Sequence, residues 1–124
     1  MATIELNNTT FGEIVTSPGI VFVDLWAEWC GPCRAFGPIF EEASNKNEDI
    51  IFGKVDTEAE QELAGALGIT SIPTLLAFRD GIMLYNRAGA LPAPTLDELI
   101  GAVRAVNMDE VRAEIAKGPA GDDN

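Results

Sequence analysis

Between Ile20 and Trp26 the chain is apolar at nearly every position, broken only by Asp24. Apolar residues on both sides of a strand mean cover on both faces, so this run predicts a central strand. Ile50 to Val55 predicts a second inner strand, and Ile4 to Leu6 a short first one. Thr74–Phe78 and Ile82–Arg87 flank Asp80-Gly81, the dipeptide of a tight hairpin turn. Between these runs the period changes to that of helices. Thr10 and Glu13 stand at capping-box spacing, and that helix would end by Ser17-Pro18-Gly19. A second helix is predicted from about Pro32 to Lys46, with Pro38 either kinking or ending it. A third runs from Glu58 to Leu67, closed by Gly68. A fourth, Thr95 to Val106, puts Leu96, Leu99, Ile100 and Val103 on one face. The order β-α-β-α-β-α-β-β-α implies an α/β fold, a mixed sheet with helices on both faces.

Composition narrows the function. A chain of 124 residues is one domain's worth, and 47 % hydrophobic against 23 % charged residues is an ordinary globular balance. Eight basic and twenty acidic residues leave a formal charge of −12, which disfavours nucleic acid and anionic membrane surfaces as partners. There is no histidine, so Ser-His-Asp and Cys-His machinery is excluded. Met1 to Thr10 lacks the basic and apolar blocks of a signal peptide, and Ile20 to Ala27 is too short to span a bilayer. A soluble, cytoplasmic monomer is the expectation. After a domain over residues 1–106, Met108, Val111 and Ile115 keep helical spacing. Residues 107–124 therefore read as an extension, a continued or restarted helix with a frayed polar end from Gly118.

The chemistry gathers at Trp29-Cys30-Gly31-Pro32-Cys33, where a buried strand turns into a helix. Two cysteines three apart at a helix start share one face, near the separation that a disulfide requires. A bond between them closes almost no chain, so its entropic benefit to the fold is small. Cys30 lies at the positive helix end, where free N–H groups favour a thiolate; Cys33, one turn inward, is expected to be the more buried. That pair suits dithiol exchange: Cys30 attacks a disulfide, and Cys33 then displaces it. The competing reading is a passive buried pair or half of a metal site. A metal would need two more soft ligands, and the chain has no other cysteine.

Asp24 lies six residues before Cys30 in a strand covered on both faces. Desolvation would raise its pKa, and it could take or return the Cys33 proton; alternatively it is a strand-end aspartate bonded to backbone. Lys54 on the neighbouring strand either offsets that charge or is a surface lysine. Pro73 reads as the first residue of a strand, with a cis bond only a minority outcome. Trp26 is expected in the core and Trp29 partly exposed, as part of a binding surface.

The Trp-Cys-Gly-Pro-Cys string, preceded by Val23-Asp24-Leu25-Trp26-Ala27-Glu28 and followed by Ile72-Pro73-Thr74, closely resembles the thioredoxin family from about Ile4 to Val106. The resemblance implies a thioredoxin fold with a four- or five-stranded mixed sheet. It implies Cys30 as nucleophile, Cys33 as resolving thiol, Asp24 as proton-transfer base and Lys54 as its partner. It makes the Ile72-Pro73 bond cis. It gathers Trp29, Gly31, Pro32, Ile72, Pro73, Ala88, Gly89 and Ala90 into an apolar groove for an extended substrate segment. The implied activity is protein disulfide reduction, serving electron transport and cell redox homeostasis. No cofactor is bound: electrons come from NADPH through a separate thioredoxin reductase. Clients would be disulfide proteins such as peroxiredoxins, other reductases and methionine sulfoxide reductases. A non-enzymatic subunit or clamp is the alternative. The Gly-Pro spacer is that of reducing members, and Arg34 stands where many relatives carry lysine.

Overall fold

The computed structural model describes residues 2–118. Its elements are β1 (Thr3–Glu5), α1 (Phe11–Val15), β2 (Ile20–Trp26), α2 (Gly31–Lys46), β3 (Ile51–Asp56), α3 (Gln61–Ala66), β4 (Thr74–Arg79), β5 (Ile82–Ala88), α4 (Ala93–Ala105) and α5 (Met108–Ala116). One five-stranded sheet has the order β1-β3-β2-β4-β5. β1 and β2 run parallel to β3, and β4 runs antiparallel to both β2 and β5. The mixed α/β sheet anticipated from the alternation of patterns is therefore present.

The pleat sorts side chains to two cores. Phe22 and Phe52 face α2 and α4, packing with Phe36, Phe40, Leu96 and Ile100. Val21, Val23 and Leu25 face the other way, onto Phe11, Val15 and Leu63. Period two then puts Asp24 and Trp26 on the Phe22 face, beneath the start of α2. The register brings Asp24 opposite Lys54 on one side and Leu75 on the other.

Gly53 lets β1 close on β3. A Cβ at that position would stand 2.5 Å from Cδ1 and 2.9 Å from Cγ of Leu6, which is itself buried. Gly53→Ala is expected to cost about 1–3 kcal/mol through overpacking, read as a lower urea midpoint with an unchanged m-value.

Several local readings are corrected. Thr10 does not form the capping box: its hydroxyl accepts the Asn7 N–H at 3.0 Å, while Asn7 Oδ1 accepts the N–H groups of Thr9 and Thr10. The reciprocal bonds of this Asn7–Thr10 turn occupy the Thr10 hydroxyl, which is then turned away from the Glu13 N–H. α3 starts at Gln61 rather than Glu58, because Asp56 Oδ1 holds residues 57–59 in a turn by accepting the N–H groups of Glu58 and Ala59. α2, by contrast, runs to Lys46 as predicted, with Pro38 inside it, so the alternative that Pro38 ends the helix is excluded. The hairpin turn is as expected, with φ of +53° at Asp80 and +83° at Gly81.

The chain beyond α4 restarts rather than continues. Val106 is extended, and Asn107 Oδ1 accepts the Glu110 N–H at 3.1 Å as a helix cap. Arg79, at the end of β4, donates to the carbonyls of Val103, Arg104 and Val106, holding the last turn of α4. Met108 is buried, and Arg112 reaches Asp80 at 3.8 Å. Residues 119–124, which include most of the anticipated frayed end, lie outside the described residues. Among the described residues no helix is long and apolar enough to cross a membrane.

Candidate active site

The site forms where β2 gives way to α2. Cys30 is extended, with φ −90° and ψ +115°, and caps the sixteen-residue helix: its Sγ accepts the Cys33 N–H at 3.2 Å. Pro32 occupies the first turn, where a missing N–H costs nothing. Cys30 and Cys33 are joined as a disulfide, with Cα atoms 5.2 Å apart. The helix-start geometry inferred from their spacing is thus realised.

The expected difference in burial between them is not. Both cysteines are 4 % exposed, packed with Ala27 and covered by Trp26 and Ile72. Cys30 Sγ lies 3.7 Å from the carbonyl oxygen of Ile72, a residue from the loop before β4. That long-range cover is what conceals Cys30, and spacing within the motif carries no sign of it. The Ile72–Pro73 peptide bond is cis.

Asp24 is fully buried, and neither carboxylate oxygen has a hydrogen-bond partner among the described residues. The backbone-bonded alternative is excluded. Burial pushes its pKa up from 3.8 to about 7, and the Lys54 ammonium pulls part of the way back. Lys54 is half-buried, with Nζ 5.2 Å from the centre of the Trp26 ring. It is therefore neither a free surface lysine nor a contact ion pair with Asp24. Trp26, expected in the core, is only half-buried, because its ring lies between this cation and the cysteines.

The residues anticipated as a substrate groove fall into two parts. Trp29 is 66 % exposed and lines, with Ile72, an open cavity of about 350 Å³. Across the cis-proline, Gly89 donates its N–H to the Pro73 carbonyl at 2.8 Å and has φ +114°. Gly89 is thus tied to the cis-proline, but Ala88, Gly89 and Ala90 do not line that cavity, and neither do Gly31, Pro32 or Pro73. Its other wall comes from Thr57, Gln61, Ala64 and Ile69, on and around α3. Sequence reasoning missed this wall. It also missed Glu58, whose Oε2 accepts the Trp29 indole N–H at 3.1 Å. The available signal was position: these residues follow the carboxyl end of β3, the edge of an α/β sheet where ligands bind. Among the described residues no cluster of side chains could hold a metal ion.

Residues 2–102 match the family model described as Thioredoxin. The chain is 49 % identical over 119 residues to "Putative thioredoxin 2" of Streptomyces coelicolor, covering 96 % of this chain and 89 % of that one. It is 39 % identical over 101 residues to the thioredoxin of Bacillus subtilis, covering 81 % and 96 % respectively. Among solved structures it is similar to Malassezia sympodialis thioredoxin (Mala s 13), with a TM-score of 0.73 at 29 % identity, covering 81 % of this chain and 89 % of that one.

Proposed function

Because this chain belongs to the thioredoxin family and is a protein disulfide oxidoreductase, we propose that it reduces client disulfides through Cys30 and Cys33 in the following sequence. In the reduced protein the Cys30 thiolate attacks one sulfur of a client disulfide. A Cys30–client bond forms, and the first client thiolate leaves and takes up a proton. Asp24 accepts the Cys33 proton. The Cys33 thiolate attacks Cys30 Sγ, the Cys30–Cys33 disulfide forms as the Cys30–client bond breaks, and the second client sulfur leaves as a thiolate that takes up a proton. Two electrons have passed from the cysteine pair to the client.

The observation that carries this reading is the cap. The Cys33 N–H aimed at Cys30 Sγ is a donor already in place for negative charge on that sulfur. It serves twice, when Cys30 attacks and again when it leaves. Lys54 tempers the charge on Asp24 and so keeps its proton affinity near neutrality. Trp29, Gly31, Pro32, Ile72, Pro73, Ala88, Gly89 and Ala90 form the surface against which an extended client segment lies.

The family implies thioredoxin reductase and disulfide proteins as partners. For this chain the electrons come from NADPH through such a reductase, with no cofactor bound here. Peroxiredoxins, reductases and methionine sulfoxide reductases are the client classes. The protein works as a cytoplasmic monomer in redox homeostasis. Residues 1–106 form the catalytic domain and residues 107–124 an extension outside the reaction.

Cys33→Ser tests the order of attack. It is expected to leave a mixed disulfide at Cys30 that persists for hours without added thiol, seen as a client-sized mass increase. Rapid release of client from this variant would reverse the two assignments.

A further inference from the structure

The cavity against Trp29 and Ile72 is bounded by one face of α3, where Gln61, Ala64 and Gly65 follow one another at helical spacing and so point the same way. Gly65 is the odd member. Its backbone is ordinary helix, and a Cβ added there would meet nothing within 4 Å. Neither a turn nor a close approach calls for glycine at this point, and a glycine inside a helix is less stable than alanine. The effect of its missing side chain is an open cavity of about 350 Å³. The chemistry of that cavity is one-sided. Trp29, Ala64, Ile69 and Ile72 give it apolar surface, and its polar groups, Thr57 and Gln61 among them, are uncharged. Among the described residues no charged side chain lines it. A charged group entering it would leave water without a partner, whereas an apolar one gains by burial. The cavity is continuous with the disulfide, because Ile72 lines it and also brings its carbonyl oxygen within 3.7 Å of Cys30 Sγ. Its Trp29 wall is held in place, with the indole N–H donating to Glu58 at 3.1 Å.

We propose that this cavity receives one bulky apolar side chain of the client, of leucine to phenylalanine size, and that Gly65 sets the size admitted. The inference rests on the reductase reading above. In an extended client segment the residue two away from the attacked cysteine shares its face at roughly 7 Å. Its side chain then enters the cavity while the cysteine meets Cys30. Selection acts on the first attack and, being apolar in origin, persists in salt.

The test uses the pre-reduced full chain and three synthetic peptides. Each carries the same internal disulfide, with phenylalanine, glycine or lysine placed two residues outside each cysteine. Second-order oxidation rates are taken at about 500 mM salt, which screens the chain's net negative charge. Each is divided by the same peptide's rate with dithiothreitol, which removes differences in intrinsic reactivity. The phenylalanine peptide is expected to react about tenfold faster than the glycine peptide, and the lysine peptide within about twofold of glycine. Gly65→Leu fills the cavity and should cut the phenylalanine-to-glycine ratio to about twofold. Gly65→Ala, the milder change and the one better suited to a helix, should give a ratio between those two. Gly101→Leu puts the same side chain into equally open space on α4, which packs on the opposite face of the sheet, and the ratio should be unchanged. Equal rates for the phenylalanine and glycine peptides, a ratio that neither Gly65 variant lowers, or an equal fall with Gly101→Leu would overturn the proposal while leaving the reductase reading intact. Failure to reduce any peptide, glycine included, would sink both.

Discussion

Cys30→Ser is expected to abolish insulin disulfide reduction, returning precipitation to the rate of dithiothreitol alone. A serine hydroxyl is not ionised near neutral pH and forms no disulfide, so the first bond-making step is lost. A drop of roughly a thousandfold or more is the scale for removing a covalent nucleophile. The fold should survive. Serine is a better helix cap than most residues, so the start of α2 keeps an acceptor for the Cys33 N–H. The ring that is opened constrains little of the unfolded chain. A far-ultraviolet spectrum and urea midpoint close to the parent's would therefore accompany the loss. Turnover above the dithiothreitol background would remove Cys30 from the mechanism.

Asp24→Asn is expected to act in opposite directions on stability and on rate. The carboxyl is raised from 3.8 to about 7 in the folded protein, so folding favours its protonated form. Below pH 4 it is protonated in both states and the substitution changes little. From about pH 4 to about pH 7 the folded parent holds a proton that the unfolded chain releases, so stability falls across that range and levels off above it. Asparagine does not titrate, so the variant should gain on the parent from about pH 4 upward, reaching about 4 kcal/mol by pH 8. Urea titrations of the oxidised proteins at pH 4 and pH 8 read this directly; equal midpoints at both would refute the raised pKa. The resolving step should meanwhile slow on the order of tenfold near pH 7, because Cys33 loses its proton acceptor. Decay of a mixed disulfide, timed in stopped flow, isolates that step from the first attack. An unchanged decay would dismiss Asp24 as the base even if the stability result held.

The site was legible to the extent that it is local. Cys30 and Cys33 declare themselves by spacing, and Asp24 by interrupting an apolar strand whose neighbours are all buried. The sequence of elements and the mixed character of the sheet follow from alternation and the Asp80-Gly81 turn, whereas the strand order β1-β3-β2-β4-β5 needed the packed fold. What could not be read depends on residues far apart in the chain. The concealment of Cys30 comes from Ile72, and the cavity wall from α3. Lys54 illustrates the middle ground: its strand was inferable, but its register opposite Asp24 and the placement of its ammonium over Trp26 needed the packed fold. At Thr10 the spacing to Glu13 suggested a capping box, but the folded loop turns the Thr10 hydroxyl back to the Asn7 N–H, and α1 starts without a side-chain cap.

β4 carries different duties at its two ends. Thr74 follows the cis Ile72–Pro73 bond, whose Ile72 covers the cysteines, while Arg79 grips the end of α4 and its neighbour Asp80 meets Arg112 of α5. The six residues of one strand, roughly 20 Å of extended backbone, separate one from the other. Lineages can therefore rework the terminal helices, tuning how long the protein lasts or what it is tethered to, with the redox partner list left untouched.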